Sequence, residues 1–122
     1  MASAEAVALQ FIEFFYATFD SARPNLGALY RPTSSLTWEG SKFDGAAGIA
    51  EKLTSLPFQK VQHRITSQDF QQLDQGTLLI TVTGQILIDD ETNPQSFAET
   101  FILKAEGGSF YVSNEVFRLV YG

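Results

Sequence analysis

The stretch Leu53-Thr54-Ser55-Leu56-Pro57-Phe58-Gln59-Lys60-Val61-Gln62-His63-Arg64-Ile65-Thr66 changes its period halfway along. Up to Pro57, the residues Ile49, Leu53 and Leu56 stand one above another at helical spacing, which predicts a helix from Gly45 to Leu56. Proline pushes the residue before it out of helical geometry, so the helix stops there. Beyond it Val61, His63 and Ile65 alternate with Gln62, Arg64 and Thr66, the period of two expected of a strand. One proline therefore joins the last helix to the start of a sheet.

Reading outward toward the N-terminus, Ser3 is placed to cap a helix over Ala4 to Asp20 with Glu5 in its first turn. Val7, Phe11, Phe14, Phe15 and Ala22 fall near one broad face of it. Arg23-Pro24-Asn25 interrupts that helix, and Pro24 starts a short second one through Leu29. Leu36-Thr37-Trp38 reads as a short strand that turns back at Gly40-Ser41 toward Phe43. Toward the C-terminus, Thr77 to Ile88, Phe97 to Lys104 and Phe110 to Val120 are β-rich runs. Turn chemistry at Asp74-Gln75-Gly76, Asp89 to Pro94 and Glu106-Gly107-Gly108 separates them. Such connections are too short for helical crossovers, so these strands are expected to be antiparallel. Helices first and strands last give an α+β fold, with residues 1–122 as one domain.

The strand Thr77 to Ile88 carries apolar groups on both faces: Leu78, Leu79, Ile80, Val82, Ile86, Leu87 and Ile88. A one-sided antiparallel sheet alternates cleanly. Three helices can cover one face of a curved sheet but hardly both, which predicts a homodimer packed on the second face.

Composition narrows the functional classes. Eleven Phe among 122 residues supply large packing units, and the absence of Cys excludes disulfides and thiolate metal sites. Met1 to Glu5 lacks a basic region and no apolar run is long enough to span a bilayer, so neither secretion nor membrane insertion is expected. The net charge of -6 and the scattered basic residues argue against nucleic acid and for basic protein surfaces. No glycine-rich phosphate loop is present, and no cofactor is expected.

The opening stretch, together with Phe11 to Tyr16, Leu36-Thr37-Trp38-Glu39-Gly40, Leu87-Ile88-Asp89-Asp90-Glu91 and Phe117-Arg118-Leu119, resembles the nuclear transport factor 2 family over nearly the whole chain. Leu29-Tyr30-Arg31 and Gln62-His63-Arg64 look fungal-like. The resemblance implies a cone-shaped half-barrel, a curved antiparallel sheet packed with three helices, and a dimeric carrier. That carrier would bind the GDP-bound form of the GTPase Ran and take it through nuclear pores, working in cytoplasm and nucleus with enrichment at the nuclear envelope.

Site residues follow from the same resemblance. A lone Trp ordinarily belongs to the core, yet Glu39 follows Trp38 directly, and on a strand the two would face opposite sides. The family implies that Trp38, Leu56, Val61, Ile86, Ile88, Val116 and Phe117 wall a cavity for an aromatic side chain of Ran. Glu39, Asp89 and Glu91 would form an acidic rim for basic residues of Ran, although Asp89-Asp90-Glu91 also reads as an ordinary solvated turn. Phe-x-Phe-Gly repeats of nucleoporins would meet the start of the first helix, where Ala4 stands in place of the aromatic residue usual in the family. His63, the only histidine, is more naturally a hydrogen-bonded core residue than a base or ligand, with Asp20 and Arg118 as candidates either for a polar contact to it or for a structural charge pair. The cone fold also houses lyases and isomerases, but the inward candidates here are mainly apolar and offer no clear acid and base pair. A non-enzymatic carrier is therefore the expectation, with a small lyase or isomerase acting on an apolar substrate, or a Phe-Gly peptide scaffold, as the alternatives.

Overall fold

The computed structural model describes residues 3–120. Ser3 accepts a hydrogen bond from the Ala6 amide at 3.1 Å and opens helix α1, Ala4–Ser21. The buried stripe of α1 is Ala8, Ile12, Phe15, Tyr16 and Phe19, whereas Phe14 is 51% exposed. The expectation for Phe14 fails because α1 seats a narrower face on the sheet than its hydrophobic spacing suggests. A 3-10 helix, Arg23–Leu29, follows with Pro24 in its first turn and Leu26 buried.

Strand β1, Tyr30–Trp38, begins six residues earlier than Leu36, because Ser34 and Tyr30 point inward and Pro32 is accommodated at an irregularity between Tyr30 and Ser35. Hairpin strand β2, Ser41–Asp44, and helix α2, Ala46–Thr54, come next. Helix α2 stops two residues before Leu56, its last turn closed by the Ser55 amide on the Glu51 carbonyl. Leu56 itself is buried in the turn that leads to Pro57.

Four long strands complete the chain: β3 (Val61–Asp74), β4 (Thr77–Ile88), β5 (Gln95–Glu106) and β6 (Ser109–Val120). Their order in the six-stranded sheet is β2-β1-β6-β5-β4-β3. The last four strands pair antiparallel as expected, while β1 runs parallel to β6, since the chain between them passes through the whole sheet rather than a tight turn. Gly84 sits where β3 bulges: a Cβ there would lie 2.3 Å from the Arg64 carbonyl oxygen.

Inward positions of the sheet and the buried faces of the helices form one core. Phe15 and Phe101 meet edge to face at 4.8 Å, and Phe11 joins Phe101 at 4.9 Å. The other face of the sheet carries Leu79, Leu87, Ile102 and Val116, of which Val116 is 47% exposed. Among the described residues no helix is long and apolar enough to cross a membrane.

Candidate functional site

An aromatic shelf occupies the sheet where β1 and β6 end. Trp38 and Phe117 are partners in the parallel ladder, and their rings stack at 4.1 Å and 12°. Phe19 of α1 lies nearly parallel to the indole on its other side at 6.2 Å, and Phe97 of β5 extends the stack from Phe117 at 5.7 Å. Trp38 keeps 7% of its surface exposed, so the indole is core and the edge of the shelf at once.

His63 borders this shelf. Its Nδ1 lies 2.6 Å from Asp20 Oδ1, and its backbone amide donates to Asp20 Oδ2 at 2.9 Å, so one carboxylate fixes both ring and strand. The imidazole packs against Tyr16 at 4.7 Å and Phe19 at 4.9 Å. Arg118, the other candidate partner, is exposed and one residue out of phase with inward-facing Phe117, so it takes no part. Arg23 closes the other side: its Nη2 donates to the Phe58 carbonyl at 2.7 Å, and its guanidinium lies over the rings of Phe19 and Phe58. Desolvation lowers its pKa against the opposing pull of Asp20 and Asp89. Phe19 and Arg23 were not singled out from sequence. Phe19 continues the Ile12-Phe15 stripe by one turn, whereas nothing local marks Arg23.

The two acids expected at the rim share an unusual backbone. Glu39 and Asp89 have φ of 51° and 52°, the only positive values at non-glycine positions among the described residues. Glu39 has thus left the strand, so the simple alternation with Trp38 does not hold. Its amide donates to the Phe117 carbonyl at 3.0 Å, and its Oε1 accepts the Leu119 amide, which sews the turn to β6. Asp89 Oδ1 accepts the Gln59 and Lys60 amides, each at 2.9 Å, and so anchors the loop that carries Phe58. Among the described residues no hydrogen bond engages the second oxygen of either carboxylate. Glu91 lies in the exposed turn, its amide bonded to the Ile88 carbonyl at 3.1 Å.

The expected cavity wall is brought together in part. Val61 pairs with Ile88 and His63 with Ile86 across β3 and β4, and Leu56 joins the same apolar cluster. Val116 does not belong there. It neighbours Phe117 on a strand, so the two side chains take opposite faces, and Val116 lies on the outer one. Ala4 sits elsewhere, at a cleft of about 890 Å³ between the start of α1 and the hairpin ends, with Val7, Gln10, Leu78 and Phe110.

The model of the nuclear transport factor 2 (NTF2) domain family matches residues 7–119. The chain belongs to the nuclear transport factor 2 family. It is 55% identical over 117 residues to nuclear transport factor 2 of Candida glabrata, covering 95% of this chain and 94% of that one. The Emericella nidulans protein of the same name is 50% identical, with 99% and 98% covered. The solved structure of nuclear transport factor 2 from Cryptosporidium parvum superposes with a TM-score of 0.89 at 42% identity, covering 95% of this chain and 94% of that one. The shelf and both left-handed acids lie inside the family's matched span, while Ala4 precedes it.

Proposed function

We propose that this family member is a non-enzymatic, homodimeric carrier that binds GDP-bound Ran and takes it through nuclear pores into the nucleus. Glu39 and Asp89 carry the reading: the chain holds these two acids, beside an aromatic shelf, at positive φ, which few non-glycine residues adopt. Each spends one oxygen on the loop it anchors and keeps the other for a cation, which suits basic residues of a partner whose aromatic side chain reaches Trp38. Glu91 extends the rim. Relatives that bear the transport factor's name support a carrier over a lyase or isomerase. Its working places would be cytoplasm and nucleus, with enrichment at the nuclear envelope. A pull-down with GDP-loaded and GTP-loaded Ran tests the proposal, since the enzyme and scaffold alternatives expect no preference for nucleotide state.

The dimer rests on the outer sheet face, where Leu79, Leu87, Ile102 and Val116 would otherwise leave an apolar surface in water. Sedimentation equilibrium at micromolar protein should give twice the 13.5 kDa chain mass. Val116→Asp, which puts a charge on that face without touching the inward core, should shift the mass to that of one chain. A wild-type mass of a single chain would remove the argument.

Nucleoporin repeats would use the cleft at Ala4, whose methyl group offers little for a phenylalanine ring to pack on. Ala4→Trp is expected to tighten binding of a Phe-x-Phe-Gly peptide and leave Ran affinity unaltered, because the cleft and the shelf lie at opposite ends of α1, β5 and β6. Unchanged peptide affinity would mean that the repeats bind elsewhere.

A further inference from the structure

Two acids that the shelf does not use lie in the middle of the core. Glu99 on β5 and Glu115 on β6 are 2% and 1% exposed. Alternation places Glu99 inward with Phe97 and Phe101, and Glu115 inward with Phe117. Tyr16 of α1 donates its hydroxyl to Glu99 Oε1 at 2.7 Å, and Tyr30 of β1 donates to Glu115 Oε1 at 2.5 Å. Across β5 and β6 Glu99 stands opposite Phe117 and Glu115 opposite Phe101, so the two carboxyl groups are diagonal neighbours on the inward face. Their Oε2 atoms are buried and accept from no donor among the described residues.

Among the described residues no counter-charge faces the pair. Across the ladders Val82 of β4 stands opposite Glu99, while Leu36 of β1 and Phe101 of β5 flank Glu115. The 3-10 helix contributes apolar Leu26 to this core and α2 contributes Ile49 and Leu53. On α1 the facing titratable group is Tyr16, and on β3 it is His63, which lies beyond the Tyr16 ring and is bound to Asp20. Two ionised carboxylates here would repel each other, and neither Oε2 atom would meet a donor among the described residues. A single proton between them supplies a donor to one oxygen and an acceptor to the other, which resolves both defects at once.

We propose that Glu99 and Glu115 share one proton at neutral pH, so that Tyr16-Glu99-Glu115-Tyr30 forms a pH-sensitive fastener holding α1 and β1 to the centre of the sheet. Burial, followed by the negative charge of Glu115, raises the Glu99 pKa well above the ordinary glutamate value, and burial also raises that of Glu115. A raised carboxyl pKa stabilises the folded state fully below the unfolded value of about 4.3, and that stabilisation fades as pH climbs toward the folded value. Across this window the retained proton makes the folding equilibrium constant fall about tenfold per pH unit.

The slope of log folding constant against pH, measured by urea unfolding at fixed protein concentration between roughly pH 5 and 8, counts the proton. Wild type should exceed Glu99→Gln by one proton, since the amide donates to Glu115 without titrating. Infrared spectra of protein labelled with 13C-glutamate should show a neutral carboxylic acid band in the folded wild type at neutral pH. That band should vanish on unfolding and be absent from Glu99→Gln. Equal slopes, or a folded wild type without the acid band, would overturn the shared proton, and a loss of two protons on unfolding would replace it by two neutral acids. Should Glu99→Gln fail to fold, the wild-type spectrum and Glu115→Gln decide.

Discussion

Glu39→Lys should weaken binding of GDP-loaded Ran by at least roughly thirtyfold. Removing one partner of a charge pair shielded at an interface costs about 2–5 kcal/mol, and reversal adds repulsion, at about 1.4 kcal/mol per decade of affinity. Sequence alone suggests that a rim carboxylate contributes little to the fold, but Glu39 Oε1 accepts the Leu119 amide and helps hold the turn to β6. The lysine variant therefore also loses an anchor, at a cost on the order of 1–3 kcal/mol where the amide is left unpaired. Glu39→Gln separates the two effects, because its carbonyl oxygen can still accept from Leu119 while the charge is gone. It should weaken Ran binding and melt close to wild type. Asp89→Asn offers the same separation at the second acid, where the amides of Gln59 and Lys60 need only an oxygen. Titration calorimetry of Ran-GDP and circular dichroism melts on the variants read both quantities. Equal affinity in folded wild type and Glu39→Lys would sink the rim assignment. Full affinity in Glu39→Gln beside a weakened, less stable Glu39→Lys would reassign the loss to the anchor.

The shelf shows what the sequence could and could not disclose. The strand that borders it is legible, because the period of two carries Val61, His63 and Ile65 into β3, and Pro57 lies between the end of α2 at Thr54 and the start of β3 at Val61. Strand period also contradicts Val116 as a partner of Phe117 in one wall, a conflict visible before any coordinates. Glu99 had a signal of the same kind: a glutamate at an inward position, between Phe97 and Phe101, on a strand that otherwise alternates cleanly. Its tie to Tyr16, 83 positions away, had none. Contacts of that range depend on how α1 lies across the sheet, and no local pattern encodes this. Arg23 is similar, since the Phe58 carbonyl it meets is 35 positions distant. The left-handed backbone at Glu39 was partly readable from Gly40 beside it, but a glutamate at φ of 51° is disfavoured by local sterics and held by the bonds to Phe117 and Leu119.

Phe101→Ala should be the most destabilising single truncation of the core away from the shelf, with a loss of about 3–5 kcal/mol. Phe101 is fully buried, and its ring meets Phe15 at 4.8 Å, Phe11 at 4.9 Å and Tyr16 at 6.4 Å, all from α1. The cavity would open between α1 and β5, where three rings cannot all relax inward because β4 and β6 hold the strand on both sides. It would also loosen Tyr16, whose hydroxyl holds Glu99, so the loss should lie toward the upper end of that range. A domain of marginal stability, about 5–15 kcal/mol in all, has little room for such a change. Phe101→Leu keeps most of the volume and should cost well under half as much. Urea denaturation of the two variants beside wild type, with protein concentration fixed because dimerisation adds to apparent stability, provides the comparison. If both variants lose less than about 1 kcal/mol, the packing of α1 on β5 contributes far less than the edge-to-face rings imply. If Phe101→Ala loses stability as expected while its folded fraction still binds Ran-GDP with unaltered affinity, core and shelf are energetically separate.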